Sequence, residues 1–378
     1  MAIQAHEELL TTEQIAALAQ FAPEGAKVMS VYLNVPPERH LNGALYAALN
    51  ELIQSLPDQD LRGEAAPIER MLDQPRGKGL VAFSCTTHGF LRAAYLPVPV
   101  ADHIVYEGKP DVGPLISVLD DYQRYAVALV DKARARLFTI HVGAIEEQEE
   151  LFEDIPQKHD QGGLSQSRLQ RQHDEHVHWH LKDVVERLDT LSRQRPFDRL
   201  VLAGPVEAVS ELRDRLPRPL ADRLIDVTNL AFNASEDEVL ARTLEIEQRA
   251  ERAQEQRVVE QLIEAEAHER GARGVVPTLE ALYLGNVMTL VVADGFRIPG
   301  VECAGCGRLE RLPMESCPAC SGSMQATHDI VHRAMARTLG QGGTVEVVHD
   351  SAAQWLAEHE GLGAIFRFPN PLSPPSTP

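Results

Sequence analysis

The chain has 378 residues, of which 44% are hydrophobic and 24% charged, a composition typical of soluble globular proteins with two or three domains. Its formal net charge of −20 argues against simple electrostatic binding of nucleic acid over the whole surface, but it is compatible with a local basic tip. The chain contains no apolar run long enough to cross a membrane and no secretory pattern at its N-terminus. We therefore expect a cytoplasmic protein without a membrane partner.

The first block, residues 1–117, has the pattern of a small α/β domain. The stretch TTEQIAALAQF predicts a helix capped by Thr11 or Thr12, and VMSVYLNV predicts a strand. A helix over NGALYAALNELIQSL and a hairpin over GKGLVAFSCTTHGFLRAAYLPVPV follow. Pro110 and Pro114 are expected to mark the end of this domain.

The central block, residues 118–232, alternates strand and helix patterns. LDDYQRYAVALVDKARARLFTIHVG predicts two strands, Tyr125–Val130 and Ala135–Val142. A long helix is expected from about Ser167 to Ser192, followed by the strand RLVLAGP, the helix VEAVSELRDRL and the strand RLIDV. This β–α–β order predicts a mixed α/β domain with parallel strand pairing.

A Gly-Gly loop with a change of charge lies in the middle of this block, in HDQGGLSQSRLQRQHDEHVHW. The acidic stretch IEEQEELFED comes just before it, whereas residues 157–173 carry Lys158, Arg168 and Arg171 against the single acid Asp160. Such a reversal would direct a phosphate backbone toward the tip of the loop. A solvated charged face with no partner is the alternative interpretation.

Several histidines follow the loop on the predicted helix. His173, His176 and His180 share one helical face, and His178 lies off it. With Glu175 nearby, the stripe could bind a metal, but the His-Glu-x-x-His order of zinc proteases is absent. We favour contacts with phosphates or an ordinary surface role for these histidines.

The third block, residues 233–368, predicts an α/β/α sandwich. Ser235 and Glu238 form a capping-box pattern that opens a helix running nearly to Arg270. The strand NVMTLVVAD, the helix HDIVHRAMARTL and the strands TVEVVHD and LGAIFRF follow. The proline-rich tail, residues 369–378, is expected to be disordered.

A cysteine module over residues 300–323 interrupts this sandwich. CAGCGRLERLPMESCPAC contains two C-x2-C pairs ten residues apart, formed by Cys303, Cys306, Cys317 and Cys320. Four thiolates at this spacing predict one tetrahedral Zn²⁺, which is structural because protein ligands fill every position. An iron–sulfur centre, a redox pair or a degenerate site are the alternatives. Cys85, in an apolar strand, is expected to be a core residue.

The central and third blocks resemble archaeal and eukaryotic class-1 peptide release factors and their relative Pelota, and they resemble the bacterial members of that superfamily more closely. The resemblance is carried by LDDYQRYAVALVDKARARLFTI, GGLSQSRLQRQHDEHVHWHLKDV, DVTNLAFNASEDEVLARTLEIEQ and GLGAIFRFP, together with the zinc-ribbon insertion. It implies an α/β multidomain fold of three domains. The N-terminal block resembles only the bacterial branch.

The resemblance also implies what the Gly-Gly loop does. In release factors, Gly-Gly-Gln followed by Ser and an Arg-rich helix start enters the ribosomal peptidyl transferase centre, where glycines permit close approach of the backbone. Matching or adjacent positions, which we expect to contact the ribosome, are Lys158, Gly162, Gly163, Leu164, Ser165, Gln166, Arg168 and Arg171.

The glutamine that positions the attacking water in those factors is Leu164 here. Leucine has no donor or acceptor, so it can neither orient a water nor assist an oxyanion. Gln166 would replace it only if the register of the loop shifted. We expect a loop that inserts without hydrolysis and a protein that is not an enzyme.

The N-terminal block lacks the codon-reading motifs of the resembled factors, an Asn-Ile-Lys-Ser loop and Tyr-x-Cys-x-x-x-Phe. In FSCTTHGF, Phe83 replaces the tyrosine, and the spacing from Cys85 to Phe90 differs. A decoding-site contact that is independent of mRNA sequence is expected instead.

Three functions are compatible with this pattern. The favoured one is a non-hydrolytic ribosome hibernation factor that occupies the A site of an idle 70S ribosome and contacts rRNA of the decoding and peptidyl transferase centres. A translational GTPase such as elongation factor Tu is then an implied partner. The alternatives are a release or rescue enzyme that uses Gln166, and a Pelota-like recruiter of a quality-control partner.

Overall fold

The computed structural model describes residues 11–41, 43–58, 61–152 and 166–369, without the side chains of residues 147, 152 and 166–175. The chain forms two compact units. One unit joins Met1–Asp121 to Arg252–Pro378, and the other is Tyr122–Glu251. The first predicted block thus shares a unit with most of the third.

The first block is built around a four-stranded antiparallel sheet. Its elements are α1 (Thr12–Ala19), β1 (Val28–Asn34), α2 (Ala44–Ser55), α3 (Arg62–Glu69), β2 (Gly79–Cys85), β3 (Phe90–Leu96), β4 (His103–Glu107) and α4 (Gly113–Asp121). The strand order is β3-β2-β1-β4. Apolar residues of β1 and β2 pack against α2 and α3, with Leu49 and Ile68 fully buried. The predicted helices, strand and hairpin are present.

The cap of α1 agrees with the sequence prediction, whereas Pro114 has a different role from the one predicted. Thr11 caps α1 through a capping box in which its hydroxyl accepts from the N–H of Gln14 and the Gln14 amide oxygen accepts from the N–H of Thr11. The sequence patterns predicted neither α3 nor β4. Pro114 lies in the first turn of α4, where a missing N–H costs no hydrogen bond, so it opens a helix and does not end the domain's structure.

The central unit contains a mixed five-stranded sheet. Its elements are β5 (Tyr125–Val130), β6 (Arg134–His141), β7 (Ala144–Phe152), α5 (Gln166–Gln194), β8 (Arg199–Ala203), α6 (Val206–Arg213), α7 (Arg218–Ala221), β9 (Leu224–Thr228) and the start of α8 (Glu236–Ala267). The order is β7-β6-β5-β8-β9. Strands β5, β8 and β9 are parallel, whereas β6 is antiparallel to both of its neighbours. The mixed α/β domain predicted for this block is confirmed.

Both faces of the central sheet are covered. On one face, Leu181, Val184 and Leu188 of α5 pack with α6 against alternate residues of β5, β6 and β8. On the other face, Val239 and Ile246 of α8 pack against the intervening strand residues. Such burial on both faces explains the nearly continuous apolar strand sequences.

The third block contains a second sheet and the inserted module. Its elements are β10 (Gly271–Arg273), α9 (Val275–Tyr283), β11 (Val287–Ala293), β12 (Gly300–Cys303), β13 (Leu309–Glu310), β14 (Met324–Thr327), α10 (Ile330–Gly340), β15 (Thr344–Val348), α11 (Asp350–Ala357) and β16 (Leu362–Phe366). The main sheet has the order β10-β16-β11-β15. Strands β13-β12-β14 form a separate three-stranded sheet between β11 and α10. The predicted insertion into an α/β domain is therefore present.

Helix α8 and its cap match the sequence pattern closely. The N–H of Ser235 donates to Glu238 at 2.8 Å, and the N–H of Glu238 donates to the Ser235 hydroxyl at 3.2 Å. Val258, Val259 and Leu262 of α8 pack with α11 against β11. Within the described ranges, every helix is too short or too polar to cross a membrane.

Candidate functional site

Helix α5 positions the segment that the sequence analysis singled out. It begins at Gln166, so the Gly162–Ser165 segment immediately precedes its first residue in the chain. Val177 and Leu181 are buried against the central sheet, which anchors the C-terminal two-thirds of the helix. At 1.5 Å per residue, the helix start lies roughly 16 Å along the axis from Val177.

The predicted tip residues are only partly within the described chain. Lys158, Gly162, Gly163, Leu164 and Ser165 lie outside the described residues. Gln166, Arg168 and Arg171 belong to α5, but their side chains lie outside the described part. Their contact with RNA stays a prediction.

The acidic stretch before the loop is largely strand β7, which the sequence analysis did not identify. Glu149 accepts from the guanidinium of Arg187 on α5, and Glu146 accepts from Arg124 at 2.8 Å. Glu150 lies 3.6 Å from Arg136. These carboxylates therefore form ion pairs that stabilise the edge of the sheet, and they also contribute negative electrostatic potential there.

The histidines of α5 do not share one environment. His180 is 2% exposed, and its Nε2 atom is buried without a hydrogen-bond partner. His178 is exposed, with Nδ1 3.3 Å from the guanidinium of Arg215. The side chain of His173 is outside the described part. Within the described residues, the groups with metal-ligand spacing do not include these helix histidines.

The four predicted cysteines come together in the inserted module. Their Sγ atoms all lie within 4.8 Å of one another. Cys303 Sγ is 3.4 Å from Cys320 Sγ, and Cys306 Sγ is 3.6 Å from Cys317 Sγ. Cys303 and Cys317 are buried, whereas Cys320 is exposed. The set could hold one metal ion.

Two matching turns present these sulfurs. The carbonyl of Cys303 accepts from the N–H of Gly307, and that of Cys317 accepts from the N–H of Ser321, both at 2.9 Å. Gly307 and Ser321 have φ of 70° and 59°, so each turn ends in the left-handed region. The N–H of Cys306 donates to Cys303 Sγ at 3.5 Å and lowers the pKa of Cys303 to about 6, which favours the thiolate that a metal binds.

Close approach at Gly322 completes the pocket around the sulfurs. A Cβ atom there would lie 3.2 Å from Cys303 Sγ and 3.3 Å from Cys320 Sγ. Cys85, in contrast, is buried in β2, as predicted for a core residue.

A second cluster was not predicted from the sequence. His103, Asp111, His328 and His332 bring their ligand atoms within 4.8 Å of one another. One sequence feature could have pointed to this cluster. His328 and His332 are four residues apart at the start of a predicted helix, a spacing that puts two residues on the same helical face.

Comparison with known proteins finds that the central region is similar to peptide chain release factors. Residues 110–248 match the family model described as bacterial archaeo-eukaryotic release factor family 10, and this match confirms the family resemblance found in the sequence.

Individual relatives are similar over longer parts of the chain. Peptide chain release factor subunit 1 of Methanopyrus kandleri is 24% identical over 321 residues, covering 78% of this chain and 77% of the relative. Eukaryotic peptide chain release factor subunit 1 of Oxytricha trifallax is 27% identical over 196 residues, which is 50% of this chain and 44% of the relative. The Archaeoglobus fulgidus Pelota structure covers 95% of this chain and 93% of its own, at 14% identity and a TM-score of 0.36. A TM-score this low adds no support to the sequence matches.

Proposed function

We propose that this protein is a ribosome-binding factor that occupies the A site and directs Gly162-Gly163 toward the peptidyl transferase centre without hydrolysing peptidyl-tRNA, as a hibernation factor does. The observation that carries the proposal is Leu164, which follows the Gly-Gly pair inside the region matched by the release-factor family model. In the release factors that this segment resembles, the corresponding residue is the glutamine that positions the attacking water.

Leucine at this position removes the chemistry, whereas the two glycines before it are present. Its side chain offers no hydrogen bond to a water or to a developing oxyanion, and such donors contribute about 2.7–4 kcal/mol to catalysis elsewhere. The glycines still permit close approach of the backbone to RNA. The partners of this function are the rRNA of the 70S ribosome and a delivering translational GTPase such as elongation factor Tu.

The four-cysteine cluster is proposed to hold one structural zinc. Zinc–sulfur bonds of about 2.3 Å place tetrahedral sulfurs roughly 3.8 Å apart. The Sγ separations of 3.4 and 3.6 Å are close to this value. Each sulfur occupies one corner, so no position is left for a reactive water. The ion would fix the turns of the β12–β14 module.

Wild-type protein should release no peptide above background from programmed ribosomes carrying peptidyl-tRNA. The physical reason is the missing side-chain donor at Leu164, and the measurement is release of labelled peptide over time. Leu164→Gln tests whether the rest of the tip is still competent, and a weak gain of activity is expected. Leu164→Met is the matched control, since it changes the side chain without adding a strong donor or acceptor.

Two outcomes would favour the alternative functions. Robust release by the wild type that is lost in Gln166→Ala would assign the rescue-enzyme function to this loop. Ribosome binding that requires a second, splitting factor would favour the Pelota-like recruiter.

Cys306→Ser should remove about one equivalent of zinc per chain and loosen the inserted module while the central unit stays folded. Elemental analysis measures the metal, and limited proteolysis reports the state of the module. Cys85→Ser is the control, because it makes the same substitution outside the cluster and should leave the metal content unchanged. Stoichiometric iron, or metal content that Cys306→Ser does not alter, would contradict the assignment.

A further inference from the structure

Three imidazoles surround one buried carboxylate at the junction of β4, α4 and α10. His103 Nε2 lies 2.9 Å from Asp111 Oδ2, and His332 Nδ1 lies 2.9 Å from Asp111 Oδ1. His328 Nε2 lies 3.4 Å from Asp111 Oδ2. Asp111 is 2% exposed, so its charge is removed from solvent.

We propose that these four side chains form a second metal site, for a divalent transition-metal cation of the zinc class. Ligands about 2.0–2.1 Å from one ion lie roughly 3.3 Å apart in a tetrahedron. The 2.9–3.4 Å separations of the imidazole nitrogens from the Asp111 oxygens match such edges. Imidazole-rich sets with one carboxylate suit this class of ion better than calcium or magnesium.

The outer shell supports the assignment independently. A histidine that binds a metal typically donates its other ring nitrogen to a carboxylate, which fixes the tautomer. His328 Nδ1 lies 3.1 Å from Glu107 Oε1, and His332 Nε2 lies 3.4 Å from Asp329 Oδ2. Two of the three imidazoles therefore have a carboxylate behind them while their other nitrogen faces the centre.

The hydrogen bonds among these side chains leave buried polar atoms unpaired. His328 Nε2 and Asp329 Oδ2 are buried atoms without a hydrogen-bond partner. A cation bound to His328 Nε2 would satisfy that atom. A His332 bound through Nδ1 would carry its proton on Nε2, which faces Asp329 Oδ2 at 3.4 Å. Buried polar atoms without partners are uncommon, and a bound ion is one of their physical explanations.

The backbone around the cluster is held in place by other contacts. The N–H of Asp111 donates to Ser30 Oγ at 2.9 Å, and the Tyr32 hydroxyl donates to the Asp111 carbonyl at 2.7 Å. A Cβ atom at Gly113 would lie 2.2 Å from the ring of His332, so glycine allows the imidazole to approach. A cavity of about 210 Å³ borders His103 and His332.

The position of the site suggests what the ion does. His103 and Asp111 belong to the N-terminal block, whereas His328 lies just before α10 and His332 in its first turn, beyond the cysteine module. An ion bound by all four would cross-link these two segments of one compact unit. The protein ligands fill a tetrahedron, so the ion is structural in character.

The test uses the full chain and Co²⁺ or Zn²⁺ as the probe. We expect freshly purified wild type to hold a second metal equivalent beyond the cysteine site, and His328→Gln or His103→Gln to lose about one equivalent. His268→Gln, at an exposed histidine outside the cluster, should change nothing. In Cys306→Ser/Cys317→Ser, added Co²⁺ should give weak visible absorption without a thiolate charge-transfer band, and adding His328→Gln should abolish it.

A thermal measurement keeps the proposal testable if a variant folds poorly. Adding Zn²⁺ to metal-stripped Cys306→Ser/Cys317→Ser should raise the melting temperature by several degrees, because the ion binds the folded state. The proposal is overturned if the wild type holds a single equivalent that the cysteine variants remove and His328→Gln leaves unchanged. The cluster would then be a hydrogen-bonded ion network.

Discussion

Replacing Arg199 by methionine should lower the free energy of unfolding of the central unit by roughly 3–5 kcal/mol. Arg199 opens β8, and its guanidinium donates to the carboxylates of Glu247 and Glu251 on α8. The side chain of Arg199 is 9% exposed and those of both glutamates are 1% exposed. Removing the cation leaves two buried negative charges close together, where water cannot solvate them.

The unfolding experiment can be confined to this unit. The chain contains two tryptophans, of which Trp179 lies in the central unit, so a Trp355→Phe background lets fluorescence in urea follow it. Arg213→Met is the control, because Arg213 is 52% exposed beside Asp214 and should cost about 0.5 kcal/mol or less. Equal shifts in the two variants would contradict the prediction.

A compensating variant separates buried charge from lost packing. In Arg199→Met/Glu247→Leu/Glu251→Leu, the whole ion group is replaced by apolar side chains of similar size. Such replacements are often neutral, so most of the lost stability should return. If the triple variant is as unstable as Arg199→Met, packing and not charge accounts for the loss.

The ion pairs of Arg199 with Glu247 and Glu251 could not be predicted from local sequence patterns. The apolar run of β8 was recognised, as were the capping box and the apolar face of α8, because each is a local pattern. Arg199 lies 48 and 52 residues from its partners, and no local pattern links them. The strand β7 was missed for a related reason: glutamates have low strand propensity, and its partners Arg124 and Arg187 are distant in sequence.

The two candidate metal clusters also differ in whether a local sequence pattern encodes them. The cysteine cluster is encoded in one short segment with a specific spacing, and the structure brings its four sulfurs together as the spacing predicts. The histidine cluster joins segments 221 residues apart, as the contact between Asp111 and His332 shows. Only the fold brings those residues into contact.

Charge reversal at Arg168 and Arg171 should reduce binding to 70S ribosomes by about a hundredfold at physiological salt. The proposed function places these side chains against rRNA phosphates, and each charged hydrogen bond contributes about 1.5 kcal/mol. Losing two contacts should also reduce the slope of log affinity against log salt by about two. Co-sedimentation of Arg168→Glu/Arg171→Glu across a salt series measures both effects.

The control for net charge is Arg213→Glu/Arg218→Glu, which makes the same charge change at two exposed positions of the same unit. The side chain of Arg213 is 52% exposed and that of Arg218 is 92% exposed.

Gly162→Val/Gly163→Val should instead weaken docking at all salt concentrations, because the added bulk blocks close approach of the backbone and valine disfavours positive φ. A steric block and a lost phosphate contact therefore leave different salt dependences. If both tip variants sediment with ribosomes as well as the wild type does, the loop is not the anchor, and binding must be carried by another surface of the chain.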